Sequence, residues 1–253
     1  TCTENGNQQR TVTIVDDTLL PIVTLSVGSA SINEKTGTTV TNVTATLDAI
    51  SAKVVTVTLS TSGTASATAA PALADYTLPL TITIPKLSLS ASVTLTAIND
   101  EPLDEFNEDV IIDMTCDETC TENGNQQRTV TIVDDTDLPK VTLTVGTTSL
   151  NEKTGTTSTL VTAPLNNKSA KVVTVTLATS GTASLTAAPA VADYTVGLTE
   201  TIPAGSFSTS VTLTAKSDDP LDEDDETVVI DMTCDETCAE DGTQQHTVMI
   251  VDE

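Results

Sequence analysis

Carboxylate side chains are concentrated in two related segments of this chain. Residues 100–108 read DEPLDEFNE, and residues 218–227 read DDPLDEDDET. Two kinds of chemistry use carboxylates at such a density. A pair of acids can hydrolyse a glycosidic bond when one of them is kept protonated, and a group of carboxylate oxygens can bind a divalent cation. Which chemistry applies depends on the elements that position these acids.

The two acidic segments belong to an internal repeat. Matching segments lie 118 residues apart, such as NEKTGTT at 33–39 and at 151–157. The first eighteen residues are also identical to residues 119–136. Repeats of this length indicate a tandem array of similar domains. We therefore predict a division into the last strand of a preceding repeat at 1–17 and two whole repeats at 18–135 and 136–253.

Composition and alternation predict an all-β fold. The chain is rich in Thr and Val, and only 2% of its residues are aromatic; β-branched side chains suit the pleated surface of a sheet. Alternating apolar residues such as Val55, Val57 and Leu59 recur in short runs separated by turn residues. This pattern is typical of an antiparallel sandwich. The first repeat has seven such runs, at 22–27, 38–47, 53–61, 77–84, 90–98, 108–115 and 127–133.

The order of these strands predicts where the acids meet. If each strand reverses the direction of the one before, the connections after the first, third, fifth and seventh strands lie at the same end of the sandwich. Those connections carry the acids of the first repeat, namely Glu34, Asp75, Asp100, Glu101, Asp104, Glu105, Glu108, Asp134 and Asp135. The second repeat carries acids in the same connections. They are Asp222 and the eight acids of this repeat that are listed below as predicted ligands.

Like charges gathered at one end repel one another and need a counter-ion, because two unit charges about 4 Å apart repel by about 1 kcal/mol even in water. Ca²⁺ accepts about 6–8 oxygen ligands in adaptable geometry, so we expect it to be the cofactor. With about eight acids available, two or more ions could bind at each end. The alternative is a solvated acidic surface of a salt-adapted protein. Because the acids gather in alternate loops and largely avoid the strands, the pattern favours the metal site.

Four sequence features together resemble the Calx-beta domain over nearly the whole of both repeats. They are a Glu after the first strand, ADYT at 74–77 and 192–195, DDPLDEDDET at 218–227 and TIVDD at 131–135. The resemblance implies tandem immunoglobulin-like antiparallel β-sandwiches that bind Ca²⁺ at one end. It implies as ligands Glu34, Asp75, Asp100, Glu101, Glu105, Glu108, Asp134 and Asp135, and in the second repeat Glu152, Asp193, Asp218, Asp219, Glu223, Glu226, Asp252 and Glu253. The chain departs from the pattern at Glu101, where Asp is usual.

Five cysteines follow the repeat. Cys116 and Cys120 enclose DET, as do Cys234 and Cys238, while Cys2 is the second member of such a pair. Half a zinc site is one interpretation, but no neighbouring His or Cys completes four ligands. The spacing favours a small-loop disulfide in each repeat, which is typical of an oxidising, extracellular compartment.

Several classes of function are not supported by the sequence. The formal charge of −26 repels nucleic acid and anionic membranes, and no apolar run approaches the roughly 20 residues needed to cross a bilayer. A glycosidase would need sugar-stacking rings, which are scarce, and the single His cannot serve two copies of a triad. We therefore expect no enzymatic activity, no nucleic-acid partner and no membrane insertion of this region.

The sequence predicts a structural calcium-binding tandem repeat of an extracellular filament or a surface-adhesin stalk, with calcium stiffening the junctions between domains. The alternative is a calcium-sensing module that changes domain orientation on binding. The expected partners are neighbouring repeats or subunits of the same protein, including strand addition through residues 8–15. The loop carrying Lys168 and Lys171 is expected to face the acidic end of the first repeat.

Overall fold

The computed structural model describes residues 1–15, 17–67, 74–100, 103–185, 192–217 and 224–252. Within these ranges every regular element is a β-strand, so the expected all-β fold is confirmed. There is no helix in the described part of the chain with the length and hydropathy that a membrane crossing requires.

The first repeat contains ten strands. They are β1 (Ile22–Val27), β2 (Ser31–Asn33), β3 (Val40–Leu47), β4 (Val55–Gly63), β5 (Tyr76–Thr77), β6 (Thr81–Ile84), β7 (Ser90–Ala97), β8 (Glu108–Cys116), β9 (Thr121–Glu122) and β10 (Arg128–Val133). All seven strands expected from the sequence are present. The run expected at 77–84 is interrupted and becomes β5 and β6, and the additional strands β2 and β9 are only two or three residues long.

The second repeat contains eleven strands in the same order, because the counterpart of β1 is divided. They are β11 (Lys140–Val141), β12 (Thr144–Val145), β13 (Ser149–Asn151), β14 (Ser158–Pro164), β15 (Val173–Gly181), β16 (Tyr194–Thr195), β17 (Thr199–Ile202), β18 (Ser208–Ala215), β19 (Glu226–Cys234), β20 (Ala239–Glu240) and β21 (Gln245–Val251).

Each repeat is a sandwich of two sheets. In the first repeat the strand orders are β5-β7-β3-β1-β9 and β2-β10-β8-β4-β6. In the second repeat one sheet has the order β13-β21-β19-β15-β17. The facing sheet has the order β12-β14-β18-β16 and is accompanied by the short pair β11-β20. Most neighbours are antiparallel, but β2 pairs in parallel with β10 and β9 pairs in parallel with β1. The chain changes sheets between β1 and β2, which the alternation of side chains alone does not reveal.

The core of each repeat lies between its two sheets. In β4 the residues Val55, Val57 and Leu59 point inward and are almost wholly buried, while the threonines between them are more exposed. This alternation follows from the two-residue period of a strand. One apolar cluster spans residues 23–132 and a second spans 141–250, so each repeat buries its own core.

The two ends of a sandwich have different chemistry. We call the end at which β2, β7 and β10 finish the acidic end, because Glu34, Asp100 and Asp134 follow these strands. The opposite end, where β8 finishes, we call the disulfide end. A disulfide joins Cys116 to Cys120 there with a Cα–Cα distance of 5.7 Å, and its counterpart joins Cys234 to Cys238 at 5.8 Å. Both disulfides match the sequence prediction.

The segment before the first repeat forms no strand within the described residues 1–15. Its apolar side chains are exposed, with Val12 at 84% and Ile14 at 92%. Residues 8–15 are identical in sequence to residues 126–133, which include β10, a strand that is paired with β8 and β2. Their use in strand addition stays a prediction, because it requires a partner sheet.

Candidate metal centre

The sheet topology brings acids from four separate loops to the acidic end of the first repeat. The parallel pairing of β2 with β10 places Glu34 beside Asp134, since each follows the last paired residue of its strand. Asp75 immediately precedes β5, which pairs with the end of β7, and Asp100 follows β7. Glu108 begins β8. The predicted convergence of these loops is therefore present.

Two overlapping trios of carboxylates have the spacing of metal ligands. Glu34, Asp100 and Glu105 each offer an oxygen within 4.8 Å of the others, and so do Asp75, Glu105 and Glu108. Oxygens that bind one Ca²⁺ at about 2.3–2.6 Å can be separated by up to twice that distance. Glu105 belongs to both trios, so two ions could bind side by side with Glu105 between them.

Several carboxylate oxygens of these acids are buried without hydrogen-bond partners among the described residues. Glu34 and Asp75 are each only 5% exposed. Both carboxylate oxygens of Asp100 and one oxygen each of Glu34, Glu105 and Glu108 are buried and receive no hydrogen bond from the described residues. An unpaired buried carboxylate is costly. A bound cation would supply the missing interaction for all of these oxygens at once, so the donor set fits a calcium ion.

Burial and mutual repulsion raise the pKa values of these carboxyls. The pKa of Glu34 rises to about 8, because burial disfavours its charged form and because Asp100, Glu105 and Asp134 repel it. Burial raises the pKa of Glu108 to about 8 and that of Glu105 to about 7, again with repulsion from the neighbouring acids. Burial and the charge of Asp75 also raise the pKa of Asp100. The site thus holds more negative charge than it can stabilise alone.

Backbone hydrogen bonds fix the orientation of two acids. The Asp134 carboxylate accepts a bond from the Glu105 amide at 2.7 Å and another from the Thr136 amide at 2.8 Å. The Asp75 carboxylate accepts one from the Ser66 amide. The first two contacts tie the loop 103–107 to the segment after β10, and the third ties the segment after β4 to the residue before β5.

Asp135 is oriented differently from its neighbour Asp134. Its carboxylate accepts hydrogen bonds from the Lys35 amide at 2.8 Å, the Thr36 amide at 2.8 Å and the Thr36 hydroxyl. The Thr36 hydroxyl and these amides lower the pKa of Asp135. In this position Asp135 closes the loop after β2 rather than joining the two trios. Of the other predicted ligands of the first repeat, Glu101 lies outside the described residues.

The second repeat is described only in part at its acidic end. Glu152 and Asp193 are buried, and Asp193 accepts a hydrogen bond from the Ser184 amide as Asp75 does from Ser66. Glu226 begins β19, and Asp252 donates its amide hydrogen to Asp225 at 3.3 Å. Asp218, Asp219, Glu223 and Glu253, all predicted ligands, lie outside the described residues.

A buried ion pair joins the acidic end of the first repeat to the disulfide end of the second. Lys171 Nζ lies 2.7 Å from Asp104 Oδ1 and 3.7 Å from Asp134 Oδ2. Asp104 is 1% exposed and also accepts a hydrogen bond from the Ser169 hydroxyl at 2.8 Å. The Ala170 amide donates to the Asp104 carbonyl oxygen at 2.7 Å. Lys171 therefore faces the acids as expected, whereas Lys168 lies over the Phe207 ring of its own repeat.

Asp104 belongs to the acidic loop predicted from the sequence, but its role at the junction was not predicted. The signal that could have identified it is its position next to Glu105, because neighbouring residues of an extended loop point in opposite directions. A third cluster, Cys234, Asp235 and Cys238, also has ligand spacing. Its cysteines are joined in a disulfide, so they offer no thiolate to a metal.

No protein-family model and no curated protein matches the sequence. Among solved structures, CBD12 from CALX1.2 is 13% identical, with coverage of 91% of this chain and 99% of that chain and a TM-score of 0.37. The calcium binding domain CBD12 of CALX1.1 is 14% identical, with 87% and 96% coverage and a TM-score of 0.37. A two-domain protein of unknown function from Bacteroides fragilis is 11% identical, with 79% and 86% coverage and a TM-score of 0.37. Similarity at this level does not assign the chain to a family.

Proposed function

We propose that this chain is a non-catalytic structural protein that binds Ca²⁺ at the acidic ends of its repeats, as part of an extracellular filament or a surface-adhesin stalk. One observation carries the proposal: buried carboxylate oxygens of Glu34, Asp100, Glu105 and Glu108 converge with no hydrogen bond from the described residues. A cation is the ligand that would stabilise this arrangement. The two disulfides support an oxidising, extracellular environment.

The donor set supports calcium over magnesium and zinc. All of the converging groups are carboxylates, which are hard oxygen ligands, and the trios contain no His or free thiolate. Zinc in structural sites prefers sulfur and nitrogen. Magnesium usually keeps several waters and takes one or two carboxylates. Five acids in two trios that share Glu105 therefore suit one or two calcium ions.

The position of the site supports a structural role. Asp134 lies at the acidic end of the first repeat. From Asp134 the chain continues through Thr136 to β11, the first strand of the second repeat. An ion held by Asp134 would fix the direction in which the chain leaves the first repeat. Calcium binding and the geometry of the junction are coupled through this residue.

Calorimetric titration of the chain with CaCl₂ tests the proposal. We expect the native chain to bind calcium and the double variant Asp100→Asn, Glu105→Gln to lose binding in the first repeat. Glu105 belongs to both trios, and neither Asp100 oxygen has a hydrogen-bond partner among the described residues. Glu118→Gln is the matched control, since Glu118 is exposed at the disulfide end. The absence of heat from the native chain, or equal loss in the control variant, would contradict the proposal.

The same titration separates the stalk from a calcium sensor. A structural site in an extracellular protein needs to be saturated only at about 10⁻⁴–10⁻³ M calcium, whereas sensors bind at about 10⁻⁷–10⁻⁵ M. We expect the weaker range. A micromolar dissociation constant, accompanied by reorientation of the two repeats, would favour the sensor.

A further inference from the structure

The junction between the two repeats shows what the disulfide end of a repeat can bind. The loop 168–171 receives the buried carboxylate of Asp104 through the Ser169 hydroxyl and Lys171 Nζ, at 2.8 and 2.7 Å. Ser169 is only 2% exposed as a result. These contacts join protein atoms of the two repeats directly.

The first repeat carries the same loop in the same conformation. SAKVV at 51–55 is identical to 169–173. The Lys53 amide donates to the Ser51 hydroxyl at 3.0 Å, as the Lys171 amide does to Ser169 at 3.0 Å. The Leu87 amide donates to the Ser51 carbonyl oxygen at 2.8 Å, as the Gly205 amide does to that of Ser169 at 2.8 Å. The first repeat therefore presents a preformed copy of the binding loop.

This copy is exposed and lies beside a cavity. A cavity of about 230 Å³ is lined by residues 18–21 and 50–53 together with Thr119. We call these residues, with Leu87, the first docking face. Lys53 is exposed at its edge, so its ammonium group is available to a carboxylate.

The first docking face is also more apolar than its counterpart. Leu19 is 91% exposed, Leu87 66% and Ile50 59%, whereas the second repeat has Asp137, Gly205 and Lys168 at these positions. Clustered exposed apolar side chains mark an interaction surface. Leu87 is in addition the one non-glycine residue with a positive φ in the described chain, at 65°. A leucine in this conformation is strained, and Gly205 avoids the strain in the second repeat.

We propose that the first docking face binds an acidic end of a second copy of this chain through Ser51 and Lys53, as the loop 168–171 binds Asp104 within the chain. An acidic partner suits the exposed ammonium group of Lys53. This inference rests on the stalk or filament function proposed above. It names the surface through which one copy of the chain would contact the next. The contact itself involves no calcium.

Sedimentation velocity of the full chain, with Cys2→Ser to prevent random disulfides, tests the docking. We expect reversible association as the protein concentration rises toward about 1 mM, comparable to the effective concentration that a short linker gives the internal junction. Lys53→Glu should weaken the association at least about tenfold. Arg128→Glu, an equal change of charge away from the docking face, should leave it unchanged.

Leu87→Gly provides a readout that a purely structural residue would not give. It should raise the melting temperature by removing the strained conformation and at the same time weaken association by removing an apolar contact. A chain that is monomeric at every concentration, or whose association is equally reduced by Lys53→Glu and Arg128→Glu, overturns the proposal. Association that is lost on deletion of residues 1–17 but retained in Lys53→Glu also overturns it, because strand addition would then be the mechanism.

Running the experiment in calcium and in chelator separates the two proposals. Association that persists in chelator while calorimetry detects no calcium binding supports the docking face and contradicts only the proposed calcium function. Calcium binding by a chain that stays monomeric contradicts only the docking face.

Discussion

Glu200 is a buried acid at a position where the first repeat has Ile82. It lies in β17 opposite Val175, is 4% exposed, and neither of its carboxylate oxygens has a hydrogen-bond partner in the described chain. Burial raises its pKa to about 7. The folded state therefore binds a proton that the unfolded state has released, so the second repeat should lose stability as the pH rises from about 4.5 to about 7.

Glu200→Ile should stabilise the second repeat by about 1–3 kcal/mol above pH 7, because it removes an unpaired buried carboxylate, and should flatten the pH dependence. Denaturant unfolding at several pH values measures both effects. Ile82→Glu is the reciprocal variant and should transfer the same instability and pH dependence to the first repeat. Equal stability of Glu200→Ile and the native chain at pH 8 would contradict this account.

The raised pKa values at the acidic end make a second prediction at the residue scale. Glu34 and Glu108 have pKa values of about 8, so each is mostly protonated at pH 7. Calcium binds the ionised form, and binding must therefore release protons. Calcium affinity should increase as the pH rises from about 6 to 9 and then level off. Calorimetry in buffers of different ionisation enthalpy measures the protons released; a value of zero would exclude the linkage.

At the scale of single elements, the pairing of β4 with β8 depends on a glycine. Gly63 ends β4 opposite Val110 with φ +114°, and a Cβ added there would lie 2.1 Å from the Asp109 carbonyl oxygen. Gly63→Ala should therefore destabilise the first repeat by about 3 kcal/mol. It should also weaken calcium binding, since the start of β8 carries Glu108. Thermal unfolding and calorimetry measure the two effects.

Gly124→Ala is the control for this variant. Gly124 also has a positive φ, +67°, but nothing lies within 4 Å of an added Cβ. Its replacement should cost only the conformational penalty of about 1 kcal/mol and leave calcium binding unchanged. If Gly63→Ala and Gly124→Ala lost similar amounts of stability and calcium affinity, the close approach of β4 and β8 would not be the cause.

The longer elements were predictable from the sequence because alternation over six or more residues specifies a strand and its buried face. β1 was predicted with its observed bounds, whereas β2 and β9 are too short to show a period. The same limit applies to the site. Strand order was enough to predict that Glu34 and Asp100 converge, but side-chain direction within an acidic loop was not, so Asp104 and Asp135 needed the structure. Glu200 could have been recognised, since an acid replaces Ile82 in an alternating strand.

At the scale of the whole molecule, the buried pair between Asp104 and Lys171 holds the two repeats together. Lys171→Met should leave Asp104 buried without its partner and weaken the docking of the repeats by about 3 kcal/mol. Small-angle scattering should then show a more flexible chain, in calcium and in chelator alike. Lys53→Met is the matched control at low protein concentration, because Lys53 lies on the exposed copy of the loop. The native chain in chelator should become only partly more flexible, because the pair remains.

The parallel pairing of β2 with β10 has a mechanical consequence. The chain enters the first repeat at the disulfide end through β1 and β2 and leaves it at the acidic end through β10. Tension applied to the two ends of the repeat therefore pulls β2 and β10 in opposite directions along their common axis. Their hydrogen bonds carry the load together instead of opening one after another, so the repeat should resist stretching along the direction in which a stalk is pulled.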